Sequence, residues 1–408
     1  MNLQPILILI LTAFLFMSCG KQVENDTIDN LIPEPAEQGD LEDYIANSIT
    51  YGITMLQDVN DCGEANVLIS PYSLQTALYM TMNGAAGNTL EEFRQALNTG
   101  DFYPDGLNLY HEEIADKLSP QGDNTSFESS NALFYDQGLF VPDSEFQAIL
   151  ESNYHATFRQ ETFSSEATVS VINDWVSEQT EQRITKVIDK IESDEAIFLI
   201  NALVFTADWQ IGFEEYATQD RTFTLSDGTE ISVPTMQSDD QRLYTQQGDY
   251  KAVDLPVRDG DYSMTIILPS EPLTIDEFIP TFDLDEYQNL FQSLSSERIQ
   301  LFLPKFEIAT SKNMKDILID RGMTTAFQSA DLNKMGEFAG NPYLSRVLHD
   351  AYLKIDEAGI EGAAITTVGV GVESVPPTLN CNRPFVYIVR HTETNVPIFI
   401  GKVGDPSK

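Results

Sequence analysis

Four histidines are the residues of this 408-residue chain that could act as general bases or as metal ligands. Their spacing matches no hydrolase or metalloenzyme motif, since the chain has no H-E-x-x-H, no G-x-S-x-G and no glycine-rich phosphate loop. We therefore predict a protein that is not an enzyme and that needs neither a metal nor a cofactor. A serine-histidine hydrolase stays open as the alternative, because geometry and not spacing defines a catalytic triad. The histidines are His111, His155, His349 and His391.

Two of the three cysteines, Cys62 and Cys381, lie too far apart in sequence for a metal-binding motif. They could form a disulfide in an oxidising compartment, but we favour two unpaired, buried thiols. The third, Cys19, follows the apolar residues 5–17 in the order F-M-S-C, where bacterial lipoproteins are cleaved and acylated. Cys19 is therefore the predicted lipid anchor.

The amino-terminal residues divide into a signal peptide and a spacer. Residues 5–17 are too short an apolar run to span a bilayer, so we assign residues 1–18 to a signal peptide. Residues 19–40 are polar and lack periodicity, which is typical of a flexible, lipid-anchored spacer. A folded domain is expected over residues 41–408. The expected location is extracytoplasmic, with the protein held to a bacterial outer membrane through the lipid, or secreted if Cys19 is not acylated.

Residues 358–377 have the composition of a β-strand where a loop is expected. Small or β-branched residues occupy alternate positions, a pattern typical of a strand with one face made for burial. Pro376 and Pro377 end the segment, because proline cannot donate to a β-ladder. We expect an exposed segment that can add itself to a sheet; an ordinary internal strand is the alternative. The alternate positions are Ile360, Gly362, Ala364, Thr366, Val368, Val370 and Val372.

Motifs over residues 41–406 resemble those of the serpin family and occur in that family's order. The resemblance implies an α+β fold, in which a single domain contains a large, mostly antiparallel central sheet, two smaller sheets and about eight to nine helices. An exposed reactive-centre loop would span residues 358–377. The motifs include N-V-L-I-S-P-Y-S-L (66–74), N-G-A-A-G-N-T-L-E-E-F (83–93), L-I-N-A-L-V-F-T-A-D-W (199–209), D-R-G-M-T-T-A-F (320–327) and N-R-P-F-V-Y-I-V-R (382–390).

The resemblance also implies roles for particular residues. A polar cluster beneath the central sheet, the shutter, would stabilise the sheet where its strands must separate, and Trp209 would lie at the upper end of that sheet. The loop would start at a hinge that carries two departures from the family pattern, the bulky Ile360 and the flexible Gly362. The shutter residues are Ser70, Ser73, Asn201 and His349; the hinge residues are Glu357, Gly359, Ile360, Glu361, Gly362, Ala363 and Ala364.

The family's loop length places the reactive bond between Glu373 and Ser374, with Val372 and Val370 as secondary candidates. A glutamate there suits a glutamyl endopeptidase, whereas the valines suit elastase-like enzymes. The implied function is inhibition of serine or cysteine proteases by a suicide substrate, in which an acyl-enzyme is trapped when the cut loop inserts into the sheet. The alternative is a non-inhibitory serpin that acts as a surface-held binding or chaperone protein.

The net charge of −41 argues against nucleic acid as a partner, because there is no basic surface to replace phosphate counterions. Some serpins bind sulfated polysaccharides through a basic helix, but the matching residues 105–118 of this chain are acidic. We therefore expect no heparin-type cofactor, no membrane contact except through the lipid, and a monomer.

Overall fold

The computed structural model describes residues 39–361 and 376–408. The first helix begins at Leu41, where Asp40 and Asp43 each accept a hydrogen bond from the other's backbone N–H and so form a capping box. The helices of the described residues are α1 (Leu41–Asn60), α2 (Pro71–Met82), α3 (Gly87–Ala96), α4 (Pro104–Lys117), α5 (Ser144–Asn153), α6 (Ala167–Gln179), α7 (Ile275–Phe278), α8 (Leu284–Ser293) and α9 (Lys315–Asp320). None of them is long and apolar enough to cross a membrane.

The strands of the described residues form sheets of nine, six and two strands. The expected α+β fold, with a mostly antiparallel central sheet, two further sheets and about nine helices, is confirmed. The strands are β1 (Val67–Ile69), β2 (Thr125–Asp136), β3 (Phe140–Pro142), β4 (Thr157–Glu161), β5 (Ile197–Asp208), β6 (Gln219–Thr224), β7 (Glu230–Gln246), β8 (Tyr250–Pro256), β9 (Tyr262–Pro269), β10 (Ser295–Pro304), β11 (Phe306–Asn313), β12 (Gly336–Phe338), β13 (Leu348–Ile355), β14 (Gly359–Ile360), β15 (Thr378–Asn380), β16 (Phe385–His391) and β17 (Pro397–Val403).

The six-stranded sheet has the order β11-β13-β14-β5-β2-β4. All neighbouring strands are antiparallel except β2 and β4. The strand β14 contains only two residues, yet it separates two long strands, since Ile360 is the partner of Ile355 on β13 and of Ala207 on β5. In the part of the chain that the structure describes, β5 and β13 form no ladder with each other.

Helix α2 packs against β5 of the six-stranded sheet and against β17 of the nine-stranded sheet. Eleven of its twelve residues are buried. A helix that is buried around its whole circumference belongs to the core of a large domain. Its first turn is fixed locally, because the Ser70 side chain accepts the N–H of Ser73 and Pro71 occupies the first helical position. The beginning of α2 thereby places Ser70 and Ser73 directly beneath the strands that flank β14.

Candidate functional site

The hinge enters the sheet at Gly359 and Ile360. A side chain at Gly359 would place its Cβ 2.0 Å from the carbonyl oxygen of Ala207, so the close approach of the two backbones requires glycine. The side chain of Ile360 is 0% exposed. The bulky residue that departs from the family pattern is therefore already accommodated in the core of the uncut protein.

Trp209 directly follows β5 and is hydrogen-bonded to the turn before the hinge. Its indole Nε1 donates to the carbonyl oxygen of Asp356 at 3.0 Å, and its backbone N–H donates to Ala358 O at 2.9 Å. The N–H of Phe213 donates to Glu357 O, also at 2.9 Å. These bonds satisfy the buried backbone of the turn that precedes β14 and fix its position against β5.

Glu357 connects the same turn to two other parts of the chain. Its carboxylate accepts from the Thr218 hydroxyl at 2.7 Å and pairs with Lys305 Nζ at 2.7 Å. Burial by itself would raise the pKa of Glu357, but the bonds from Lys305 and Thr218 outweigh burial and hold that pKa below its usual range. Glu357 is therefore an ionised, satisfied anchor of the hinge.

Glu361 is the last residue that the structure describes before residue 376, and its φ of +54° is left-handed. Its carboxylate pairs with the guanidinium of Arg183, which lies four residues after the end of α6 in the connection to β5. The rest of the predicted hinge and the whole reactive bond lie outside the described residues, as does the anchor Cys19. These are Gly362, Ala363, Ala364, Val370, Val372, Glu373 and Ser374.

Three of the four predicted shutter residues form one hydrogen-bonded group. The backbone N–H of Ser70 donates to His349 Nε2 at 3.1 Å, and the N–H of Ser73 donates to Ser70 Oγ at 3.3 Å. Burial lowers the pKa of His349 to about 4, so the imidazole is neutral. Here Ser70 Oγ caps a helix and His349 Nε2 accepts a backbone N–H. Ser70 and His349 are therefore not arranged as a hydrolase's nucleophile and base, which need the hydroxyl bonded to the base.

Asn201 belongs to a different hydrogen-bonded group, contrary to the expectation of a single cluster. Its Nδ2 donates to Ser129 Oγ at 2.8 Å and to Asn131 Oδ1 at 2.9 Å. The reason is strand register, because Asn131 on β2 is the direct partner of Asn201 on β5. Sequence reasoning missed Ser129 and Asn131, although the polar run E-S-S-N inside a strand pattern is a usable signal.

A cavity of about 390 Å³ lies further down between β5 and β13, below the two residues of β14. Residues 197–202 of β5 and 348–350 of β13 line its sides, α2 lines its floor, and residues from the connection between α6 and β5 cover it. Ser73, Asn201 and His349 all face this cavity. The space between β5 and β13, from β14 down to this cavity, is called the slot below.

Three side chains that line the cavity carry buried polar atoms that have no hydrogen-bond partner in the described structure. They are Asn201 Oδ1, Asp350 Oδ1 and Arg346 Nε. Burial raises the pKa of Asp350 to about 6, although a hydrogen bond with Ser311 opposes the shift. Because unpaired polar groups cost free energy inside a protein, the lower slot is the unfinished part of the sheet.

Both cysteines of the described residues are unpaired, as expected. The expectation that both are buried is wrong for Cys62, which is exposed in the turn after α1. Cys381 is buried, and burial raises the pKa of its thiol. Neither cysteine contributes to the hinge or the slot.

Comparison with known proteins agrees with this architecture. The solved structure of the thermophilic serpin Tengpin in its native state is 32% identical and superimposes with a TM-score of 0.83, covering 91% of this chain and 96% of Tengpin. Tengpin in its latent state gives a TM-score of 0.78 at 31% identity, covering 90% of this chain and 99% of that one. Iripin-2 of Ixodes ricinus is 29% identical over 364 residues, which are 86% of this chain and 91% of Iripin-2.

The model of the family described as Serpin (serine protease inhibitor) matches residues 46–406, almost the whole described domain. Members of this family are in general inhibitors of proteases and not proteases themselves. The matched range includes α2, the slot and the described hinge residues. The chain therefore belongs to the serpin family.

Proposed function

We propose that this protein inhibits serine or cysteine proteases as a single-use suicide substrate. The observation that carries the proposal is the position of β14, which pairs with β5 through Gly359 and Ile360 and with β13 through Ile360, above an unfilled slot. A loop that is cut beyond residue 361 can continue this strand downward. The alternating small and β-branched residues 360–372 suit such an insertion, because one face of the new strand would be buried.

Insertion has an energetic and a geometric consequence. The new strand would fill space in the slot and supply backbone pairing along β5 and β13, which stabilises the cut form. At about 3.3 Å per residue, fourteen inserted residues carry a tethered protease on the order of 45 Å from its starting point. That displacement can deform the protease before water releases the acyl-enzyme.

We propose Glu373–Ser374 as the reactive bond, with a glutamyl endopeptidase or an elastase-like enzyme as the target. The test is to incubate the protein with elastase-like, glutamyl, trypsin-like and cysteine proteases, to search for a covalent complex that resists detergent, and to map the cut by mass. Glu373→Arg should shift inhibition toward trypsin-like enzymes, because the residue before the cut fills the specificity pocket. An unchanged protease preference would contradict Glu373 as the residue before the cut and would favour Val372 or Val370.

Cleavage with no covalent complex for any protease would contradict inhibition and favour the non-inhibitory alternative.

The acidic helix α4 supports the further proposal that no heparin-type cofactor acts here. Its exposed face carries Asp105, Glu112, Glu113 and Asp116, and its single lysine, Lys117, is paired with Glu393 at 2.9 Å. A sulfated polysaccharide would be repelled by this face.

We propose that the protein works outside the cytoplasm as a monomer held to a bacterial outer membrane by a lipid on Cys19. The support is the sequence alone: the short apolar run, the F-M-S-C order and the polar spacer. Cys19→Ala should move the protein from the membrane fraction to the soluble fraction. Equal partitioning of variant and parent would contradict the lipid anchor and would favour secretion.

A further inference from the structure

The structure draws attention to the point at which β14 stops. Ile360 is paired on both sides, but the next residue, Glu361, has a left-handed φ of +54° that turns the chain out of the sheet. Left-handed conformations are uncommon for residues other than glycine and persist only where the surroundings impose them. Some contact must therefore hold Glu361 in this conformation.

The contact is the ion pair between Glu361 and Arg183. Both side chains are largely withdrawn from solvent, at 13% exposure for Glu361 and 23% for Arg183. A pair that is partly buried is screened less than a surface pair, and a bond between the Nε of arginine and a carboxylate is charge-assisted. Tyr352 on β13 also interacts with Glu361, and its hydroxyl donates to Glu307 at 3.0 Å.

Arg183 belongs to the segment that covers the slot. This strap, residues 180–196, connects α6 to β5, and its Ile184, Val187 and Ile188 line the cavity. Its far end is fixed as well, because Glu195 accepts bonds from Ser345 and Arg346, each at 2.8 Å. A strand that extends β14 downward requires the strap to move away from the sheet.

The backbone on the strap side of the pair is also held in an uncommon conformation. Glu181 and Gln182, the two residues before Arg183, have φ values of +48° and +67°. With Glu361, they are three of the six non-glycine residues with positive φ among those described. Half of these strained positions thus lie at one ion pair that joins the hinge to the cover of the slot.

We propose that the Arg183–Glu361 pair is a latch that stops the hinge after Ile360 and sets the rate at which the loop enters the slot. Arg183 is thus a positioning residue for the hinge. The latch restrains insertion in the uncut protein and is broken when the cut loop pulls Glu361 into an extended conformation. This inference rests on the proposed function, since it assumes that the slot receives the loop.

The test compares the full-length parent with Arg183→Gln, Glu361→Gln and the double variant. Each protein is held uncut at an elevated temperature, and samples are probed over time with a protease that cuts the loop. Insertion is scored as the appearance of molecules whose loop resists cleavage. Each single variant should convert about tenfold faster than the parent. A tenfold change in rate corresponds to about 1.4 kcal/mol less stabilisation of the uncut state by the ion pair. The double variant should be no faster than the single ones, because the two residues act as a unit.

Asp189→Asn is the matched control, because Asp189 pairs with Lys186 on the same strap but is exposed and is a partner of neither Arg183 nor Glu361. It should convert within about twofold of the parent rate. Arg183→Lys should restore part of the delay, since it keeps the charge and loses the planar guanidinium. Variants that remain cleavable as long as the parent, or that convert more slowly, would overturn the latch. This assay does not depend on a trapped protease. A parent that forms no covalent complex would contradict the proposed function, whereas the conversion rates of the variants would still test the latch.

Discussion

The upper and lower ends of the slot are built in opposite ways. At the upper end the chain's own hinge fills the space, and the backbone around it is bonded to Trp209 and Phe213. At the lower end a cavity of about 390 Å³ separates the same two strands, and Asn201, Asp350 and Arg346 each carry an unpaired buried atom. The sheet is therefore complete where the hinge has entered and unfinished where it has not.

The largest effect is expected from a charge at the completed end. Ile360→Arg places an unpaired charge where the native side chain is fully buried, at a cost of at least several kcal/mol. We expect a lower unfolding temperature of the uncut protein and conversion from inhibitor to substrate. Calorimetry and complex formation measure the two effects. Ile360→Val is the matched control, and an Ile360→Arg protein that traps protease with the parent's stoichiometry would contradict insertion from this hinge.

The second prediction concerns the close approach of the hinge to β5. Gly359→Ala should force the two backbones apart, because the new Cβ meets the Ala207 carbonyl at 2.0 Å. Overpacking of this kind costs roughly 1–3 kcal/mol, so β14 should leave the sheet. Hydrogen exchange of the amides near residue 360 measures this release. Gly248→Ala is the control, since a Cβ there meets no atom within 4 Å; unchanged protection in Gly359→Ala would show that the hinge tolerates a side chain.

The third prediction addresses the unfinished end. Asp350→Asn should stabilise the uncut protein at neutral pH by about 3 kcal/mol, because burial raises the pKa of the native carboxyl to about 6 from the unfolded value of 3.8. A raised carboxyl pKa contributes stability below pH 4 that is lost as pH rises through 6. The advantage of Asn should therefore be absent at pH 4 and complete above pH 6. Unfolding temperatures across this range measure it.

The exposed Asp320 provides the control for this pH effect. Asp320→Asn removes a carboxylate that is exposed, so it controls for the change of one unit in net charge. If Asp350→Asn gives the same difference from the parent at pH 4 and pH 7, Asp350 carries no buried charge and the lower slot is wetter than its unpaired atoms indicate.

The smallest effect is expected from the polar group on β2. Ser129→Ala removes the acceptor at 2.8 Å from Asn201 Nδ2 and should cost about 1 kcal/mol, because Asn131 still accepts from the same amide. Chemical denaturation of the uncut protein measures this cost. Ser126→Ala on the same strand is the comparison, since the Ser126 hydroxyl bonds only weakly to the exposed Glu128 at 3.5 Å. Equal costs for the two serines would mean that Asn201 needs no partner on β2.

The strand at residues 359 and 360 was predictable from the sequence because local features indicate it. Alternation of small and β-branched residues indicates strand formation, Gly359 permits close backbone approach, and the S-P pair before α2 indicates a helix start. The family resemblance grouped Ser70, Ser73 and His349, which the structure places in one hydrogen-bonded group. It failed for Asn201 because the register between β2 and β5 selects a partner from a distant strand.

Motif order and side-chain periodicity in the sequence were enough to indicate the family and the α+β fold, since both are properties of neighbouring residues. Only the tertiary structure decided that Ile360 is already buried, that Cys62 is exposed, and that Arg183 meets Glu361 across 178 positions. The physical reason is that a strand pattern encodes which face is apolar but not which distant charge will lie beside it. That choice arises when α6, the strap and the sheet pack together.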